Sequence, residues 1–362
     1  MILSVVFSTR VSFRFSPSAQ LEFSARRFQG GSGCVPASRP MSDGQNLSEP
    51  LVRRGQAHAR VAVVGAGAVG GYFGGMLARA GGAVVLIGRA PVVAAIQRQG
   101  LFLDTLTFSE TVSVEASSDL SAVGGAEVVL FCVKTTDTVA TARGIAPFLS
   151  PATTVVSLQN GAENAALIQS ITGRLTIPAV VYLAAAMVSP GVVKHSGRGD
   201  LIIGPDGLRV QAVAGLFQRA GIGCVVSARI DDAVWAKLIC NSALNAISAL
   251  TQKTYGQIGD DPFAWEIVEQ VIEESLAVAH GTGVTPADMD DRPSALAAVR
   301  RLTRQIAGAY SSTAQDLRRG RRTEIDALNG FIARRGRELG VPTPVNHTLW
   351  ALVRAAEPNS AA

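Results

Sequence analysis

Between Asp231 and Leu250, Lys237, Asn241 and Asn245 stand at i, i+4 and i+8 in a run that is otherwise apolar or small. On a helix of 3.6 residues per turn these three side chains share one face. On a buried helix, each unpaired polar group costs about 1–3 kcal/mol. The stripe therefore either looks into water or faces a cleft that holds a polar ligand, and its narrowness against the apolar remainder favours the cleft. Such a face suits the reduction of a ketone. Hydride arriving at a carbonyl carbon leaves negative charge on the oxygen, which a positioned ammonium stabilises and protonates. Lys237 is read as this general acid, its pKa lowered toward working pH by partial burial. Asn241 and Asn245 are read as holding hydroxyl and carboxylate oxygens of the substrate.

A hydride needs a carrier, and the residues that could bind one lie far upstream. Arg60-Val-Ala-Val-Val64 reads as a buried parallel strand, Gly65-Ala-Gly-Ala-Val-Gly70 follows at once, and Tyr72 to Ala80 suits a helix packed closely on a sheet. In this order Gly65 permits a tight turn, Gly67 lets backbone approach a pyrophosphate, and Gly70 allows close helix packing. The helix N-terminus offers free N–H groups to the phosphates. Alone, such a turn is weak evidence. Gly81 and Gly82 then end the helix, Ala83 to Ile87 forms a second strand, and Arg89 sits at the tip where an NAD enzyme would carry an acid. A guanidinium there offers fixed donors to a 2'-phosphate, so the cofactor is read as NADPH. The plainer alternative makes Arg89 an ordinary solvated loop residue.

Two further apolar strands end in polar clusters: Ala126 to Val133 in Lys134-Thr135, and Thr153 to Leu158 in Gln159-Asn160-Gly161. Open α/β sheets bind ligands at these carboxyl ends. Lys134 could approach the cofactor, and Asn160 both nicotinamide and substrate; each could instead only shape a turn. Val192 to His195 and Leu201 to Gly204 read as two short antiparallel strands around a glycine-rich turn, with His195 structural rather than catalytic. No strand is expected after Val226. There the pattern is helical: an Asp of the Asp231-Asp232 pair as an N-cap, Asp261-Pro262 opening a helix to His280, and the same helical style from Ser294 to Arg318.

The expected fold class is therefore an α/β N-terminal Rossmann-type domain with a mostly parallel sheet, followed by an all-α C-terminal domain. The expected division is a disordered or non-native extension over 1–58, an NADP-binding domain over 59–229 and a helical substrate domain over 230–356. At 362 residues the chain exceeds what one core usually organises, and 48% apolar with 17% charged residues argues against disorder. The net charge of +5 comes largely from the N-terminal tail and from Arg318, Arg319, Arg321 and Arg322, read as a solvated face. Without a recognition motif, no nucleic-acid partner is expected; a basic surface also suits a polyanionic cofactor and an acid substrate. Cys34, Cys132, Cys224 and Cys240 lack C-x-x-C spacing and the four histidines lack an i, i+4 pair, so no metal is expected. The apolar run from Ile177 to Val188 is too short for a membrane span, and no membrane partner is expected. Residues 1–58 are rich in Ser, Arg, Phe, Gly and Pro and poor in acids. That composition resembles a transit peptide, which would make the protein organellar, but the favoured reading is an extension with Met41 as the working start and a cytoplasmic protein.

Taken together, GAGAVG (65–70), Arg89, CVKT (132–135), QNG (159–161), W-x-K-x-x-x-N-x-x-x-N (235–245), S-S-x-x-Q-D (311–316) and R-x-T-E-I-D (321–326) resemble the ketopantoate reductase (2-dehydropantoate 2-reductase) family over residues 60 to about 354. Only the N-terminal extension departs from the pattern. The resemblance implies NADPH-dependent reduction of ketopantoate to pantoate on the route to pantothenate and coenzyme A, by a monomer or homodimer with its active site between the domains. It implies Lys237 as proton donor, with Asn160, Asn241, Asn245 and Ser312 on the substrate. Gly65, Ala66, Gly67, Ala68, Val69, Gly70, Arg89, Lys134, Asn160 and Glu324 would contact NADPH. Spacing alone points to neither Ser312 nor Glu324. Rival readings are a reductase of a different 2-oxo acid, a 3-hydroxy acid or polyol-phosphate dehydrogenase, and a non-catalytic NADPH sensor, against which the lysine and both asparagines argue. Arg89→Asp is expected to weaken NADPH far more than NADH in a fluorescence titration; equal loss for both would reject the 2'-phosphate role.

Overall fold

The structure, a computed structural model, describes residues 59–358, so the readings made for residues 1–58, including Cys34, lie outside it. The first half comprises β1 (Val61–Val64), α1 (Ala68–Arg79), β2 (Val84–Ile87), α2 (Ala90–Gln99), β3 (Leu101–Asp104), β4 (Ser109–Val112) and β5 (Glu115–Ser117). Then come β6 (Val128–Phe131), α3 (Thr138–Ile145), β7 (Thr154–Ser157), α4 (Asn164–Thr172), β8 (Thr176–Ser189), β9 (Val192–Ile203), α5 (Leu208–Arg219) and β10 (Cys224–Val226). The second half is helical: α6 (Ile230–Thr251), α7 (Tyr255–Asp260), α8 (Pro262–Gly281), α9 (Arg292–Gln305), α10 (Ser312–Arg318), α11 (Asn329–Leu339) and α12 (Pro344–Ala356).

Strands β1, β2, β6 and β7 are buried at every residue because helices cover both faces of the sheet they form. Val61, Val63, Leu86 and Leu130 turn toward Phe73 and Phe217, while Ala62, Val64, Val129 and Phe131 turn toward Ile145 and Ile168. The strands run parallel in the order β5-β2-β1-β6-β7-β8, with Val63 opposite Leu86 on one side and Leu130 on the other. The chain thus winds outward from β1 in one direction and returns on its other side with β6. This reversal opens a crevice at the carboxyl ends of β1 and β6.

The two short strands expected around a glycine turn are instead one twelve-residue strand, β9, antiparallel to the fourteen-residue β8. Shifts in register between Tyr182 and Leu183 and between Ala184 and Ala185 accommodate the glycine-containing stretch, with Arg198 at φ 50° and Gly199 at φ 143°, so the strand continues through it. The sequence shows β8 only as an apolar run, because a strand buried on both faces loses its alternation.

Helix α6 also begins differently from expectation: Arg229 is its N-cap, and Asp231 and Asp232 lie in the first turn, where carboxylates meet the positive end of the helix. The helix is long and apolar enough to cross a membrane, yet most of it is buried inside the protein as the core of the second half. A buried polar network holds its neighbours to it. Asn329 Nδ2 donates to the Ser242 carbonyl and to Asn346 Oδ1, both at 3.0 Å, and Asn346 Nδ2 donates to Glu274 Oε2 at 2.8 Å. Asp261 caps α8 as expected, through the amides of Phe263 and Ala264. The helical stretch from Ser294 to Arg318 is broken into α9 and α10, because Ser311 leaves helical geometry to cap α10.

The turn after β1 depends on Gly65, at φ 105°, where a Cβ would lie 2.7 Å from the Cys132 carbonyl carbon and the Val133 nitrogen. Gly65→Ala is expected to cost about 1–3 kcal/mol through backbone strain, read as a lowered thermal midpoint; an unchanged midpoint would contradict this account of the turn.

Candidate active site

The first half presents its crevice to the helical half across a cleft of about 1360 Å³. Its floor is the turn from β1 into α1, held by bonds from the Gly65 and Ala66 amides to the Ile87 carbonyl at 2.8 and 3.0 Å. Gly65, Ala66, Gly67, Ala68 and Val69 all line it. A Cβ on Gly67 would meet nothing within 4 Å, so the backbone there is bare toward the cleft. The first turn of α1 contains no acid, and its amides lack intrahelical acceptors. These features fit a dinucleotide pyrophosphate. Gly70 is the exception among the glycine-turn residues expected to touch cofactor: it does not line the cleft. Its Cα faces the Gly65 carbonyl oxygen so closely that a side chain has no room, and its role is packing.

Arg89 lies at the tip of β2 as the N-cap residue of α2, exposed and lining the same cleft. Lys134 follows β6, and its Nζ donates to Asp316 Oδ2 at 2.8 Å with Glu324 Oε2 3.9 Å away. Burial opposes its charge, but the Glu324 and Asp316 carboxylates outweigh it and raise the lysine's pKa. Asn160, at the end of β7, donates from Nδ2 to Glu324 Oε2 at 3.2 Å, and the Thr135 amide donates to Glu324 Oε1 at 3.1 Å. Glu324 therefore ties the mouths of two strands to the helical half.

Across the cleft, Lys237, Asn241 and Asn245 all line it from α6, as does Ser312 from the first turn of α10. The Lys237 ammonium donates to the Val181 carbonyl of β8 at 2.7 Å. Burial is the main cause that brings its pKa down to about 8; Glu324 partly offsets this and Arg198 adds to it. Asn241 is 5% exposed, and its side chain makes no hydrogen bond to protein among the described residues. Asn245, 3% exposed, accepts from the Tyr255 hydroxyl at 2.9 Å. Its carbonyl accepts from Ser311 Oγ at 3.2 Å, which fixes the start of α10 and hence Ser312 against α6.

The structure thus brings every expected site residue except Gly70 to one cleft. His195 does not line it, and its ring packs at a tilt against Tyr72 with ring centroids 4.7 Å apart. Sequence reasoning missed Tyr255 and Asp316; Arg319, Arg321 and Arg322 are exposed, as a solvated face requires, and they also line the cleft. Among the described residues no group of His, Cys, Asp and Glu is arranged to hold a metal ion.

A glycine turn at a sheet reversal, faced by a partly buried lysine with a lowered pKa, defines a pyridine-nucleotide-dependent oxidoreductase that acts on a small molecule. Residues 61–207 match the profile described as ketopantoate reductase PanE/ApbA, and residues 229–357 that of its C terminal. The chain belongs to the ketopantoate reductase family, whose members are oxidoreductases acting on a CH–OH group. The 2-dehydropantoate 2-reductase of Pyrococcus horikoshii is 34% identical over 302 residues, which cover 82% of this chain and 97% of that one. The crystal structure of a PanE/ApbA family ketopantoate reductase from Ralstonia eutropha JMP134 is 48% identical at a TM-score of 0.79, covering 82% of this chain and 98% of that one. A ternary structure of D-mandelate dehydrogenase with NADH and anilino(oxo)acetate is 26% identical at a TM-score of 0.75, with 82% and 98% covered.

Because the Glu324 carboxylate favours the charged form of Lys237, removing that charge should lower the lysine's pKa further. In Glu324→Gln, the Lys237 side-chain titration followed by NMR is expected below the value of about 8 held in the parent protein; an upward shift would contradict the assignment.

Proposed function

We propose that the protein reduces 2-dehydropantoate to pantoate with NADPH, Lys237 donating the proton, in the supply of pantothenate for coenzyme A. The observation that supports this most is that Lys237, Asn241 and Asn245 face the same cleft as the bare backbone at Gly67. We further propose that residues 59–229 hold the cofactor and residues 230–356 the acid, in a cytoplasmic protein that partners neither nucleic acid nor membrane.

The cofactor's dihydronicotinamide supplies a hydride when bound. The chain's own residues do the rest. Arg89 favours a phosphate on the adenosine ribose over a hydroxyl, since its guanidinium gives charge-assisted donors to the phosphate oxygens. Asn160, anchored by Glu324, orients the ring end of the cleft. Lys237, steadied by the Val181 carbonyl, directs its remaining N–H bonds to the ketone oxygen and stabilises the negative charge that develops there. Its lowered pKa makes it a readier proton donor than an exposed lysine. Asn241, Asn245 and Ser312 hold the carboxylate and hydroxyl oxygens, and the apolar wall of Leu183, Ala185 and Ala186 keeps water from the reacting carbon.

The likeness to D-mandelate dehydrogenase, solved with NADH and anilino(oxo)acetate, favours one second reading: the same chemistry on a different 2-oxo acid. A screen of NADPH and NADH oxidation across 2-oxo acids, 2-dehydropantoate included, separates the two.

Lys237→Ala is expected to lower turnover by roughly 10²–10⁴-fold while NADPH still binds; near-normal turnover would refute the proton-donor role. Only the protonated lysine can donate, so the rate of reduction should be level at lower pH and fall as pH rises through about 8. A profile still level two units higher would contradict it.

A further inference from the structure

Tyr255 lines the cleft and takes no part in the proton transfer described above. We propose that Tyr255 is a positioning residue: by donating its hydroxyl proton to Asn245 Oδ1, it turns that carboxamide so that the Nδ2 amide, and not the oxygen, faces the substrate. This rests on the reading of the cleft as the site of a 2-oxo acid.

A carboxamide accepts at one end and donates at the other, so whatever occupies the oxygen decides which end is free. Tyr255 is 1% exposed, and its hydroxyl lies 2.9 Å from Asn245 Oδ1. The Asn245 Nδ2 amide makes no hydrogen bond to protein among the described residues and opens onto the cleft. Burial pushes the phenol's pKa upward, so Tyr255 stays a donor across the whole working range.

Neither partner can readily swing away. The Tyr255 amide donates to the Ala309 carbonyl at 2.9 Å, and Thr254 caps the helix that Tyr255 begins. The next residue, Gly256, lies against Ala307 with no room for a side chain. On the other side, Ser311 holds the backbone of Asn245. The result is a row of donors along one side of the cleft: the Lys237 ammonium, the Asn245 amide and the Ser312 hydroxyl. That row suits the acceptor oxygens of a 2-oxo acid. An amide oxygen turned inward would instead set a partial negative charge against a carboxylate.

The test is steady-state kinetics of the full chain with NADPH and the best 2-oxo acid from the screen, on Tyr255→Phe, Asn245→Ala, the double variant and Asn245→Asp. Tyr255→Phe is expected to raise KM for the acid roughly five- to tenfold, the worth of one oriented hydrogen bond, with kcat and the NADPH dissociation constant little changed. On the Asn245→Ala background the same change should add nothing, because the side chain it positions is gone. Asn245→Asp, which keeps an acceptor for Tyr255 but turns an anionic oxygen to the cleft, should raise KM beyond Asn245→Ala. Losses that add in full in the double variant, a parental KM in Tyr255→Phe, or an Asn245→Asp that matches or betters Asn245→Ala would each overturn the inference alone. A parent protein that oxidises NADPH with no 2-oxo acid would overturn the functional reading and this inference with it.

Discussion

Lys237 sits where an ammonium is disfavoured, on a helix packed on most of its surface by apolar side chains. Desolvation penalises the charged form, and three features decide how far. The Val181 carbonyl accepts one of its protons, the Glu324 carboxylate favours its charge, and Arg198 opposes it. The balance leaves an amine that is still protonated near neutrality but releases its proton far more readily than one in water. A more exposed lysine would be a poorer acid, and a sealed one would be neutral.

Supplying these features requires elements from both halves. The carbonyl comes from β8, a strand that leaves the parallel sheet after Pro178 and continues as a long hairpin with β9 beneath α6. The carboxylate comes from the turn after α10, and it is itself buried at 8% exposure. Glu324 tolerates that burial because a backbone amide and the Asn160 carboxamide satisfy its oxygens and Lys134 stands 3.9 Å away. One side chain thus joins the strand ends of β6 and β7 to the electrostatics of Lys237.

The helical half holds the stripe in place with polar contacts that are unusual for a core. Ser311 bonds the Asn245 carbonyl, its amide takes Ser248 Oγ at 3.2 Å, and Asn329 reaches the Ser242 carbonyl one turn away. Each partner is a small polar residue on α6 or a neighbour packed against it. Apolar packing alone would let α6 rotate or slide among alternatives of similar energy, whereas unmade buried hydrogen bonds are costly enough to select one arrangement.

Much of this was written in local sequence. The strand, glycine turn and helix near residue 65, the basic tip at Arg89 and the i, i+4, i+8 stripe on α6 follow from periodicity and from what glycine alone permits, so each could be read without knowing its neighbours. The family resemblance added Ser312 and Glu324, whose surroundings carry no local signature. Other features depended on contacts between segments distant in the chain. The length of β8 and β9 was hidden because a strand buried on both faces has no alternation. The cap of α6 and the break before α10 were set by packing. The cleft lining of Tyr255 and Asp316 is a matter of which surface the folded helices turn inward. Residue type and spacing determined which groups could do the chemistry; only the tertiary structure decided which of their atoms were already taken by protein partners, because hydrogen-bond pairing across the cleft joins residues more than a hundred positions apart.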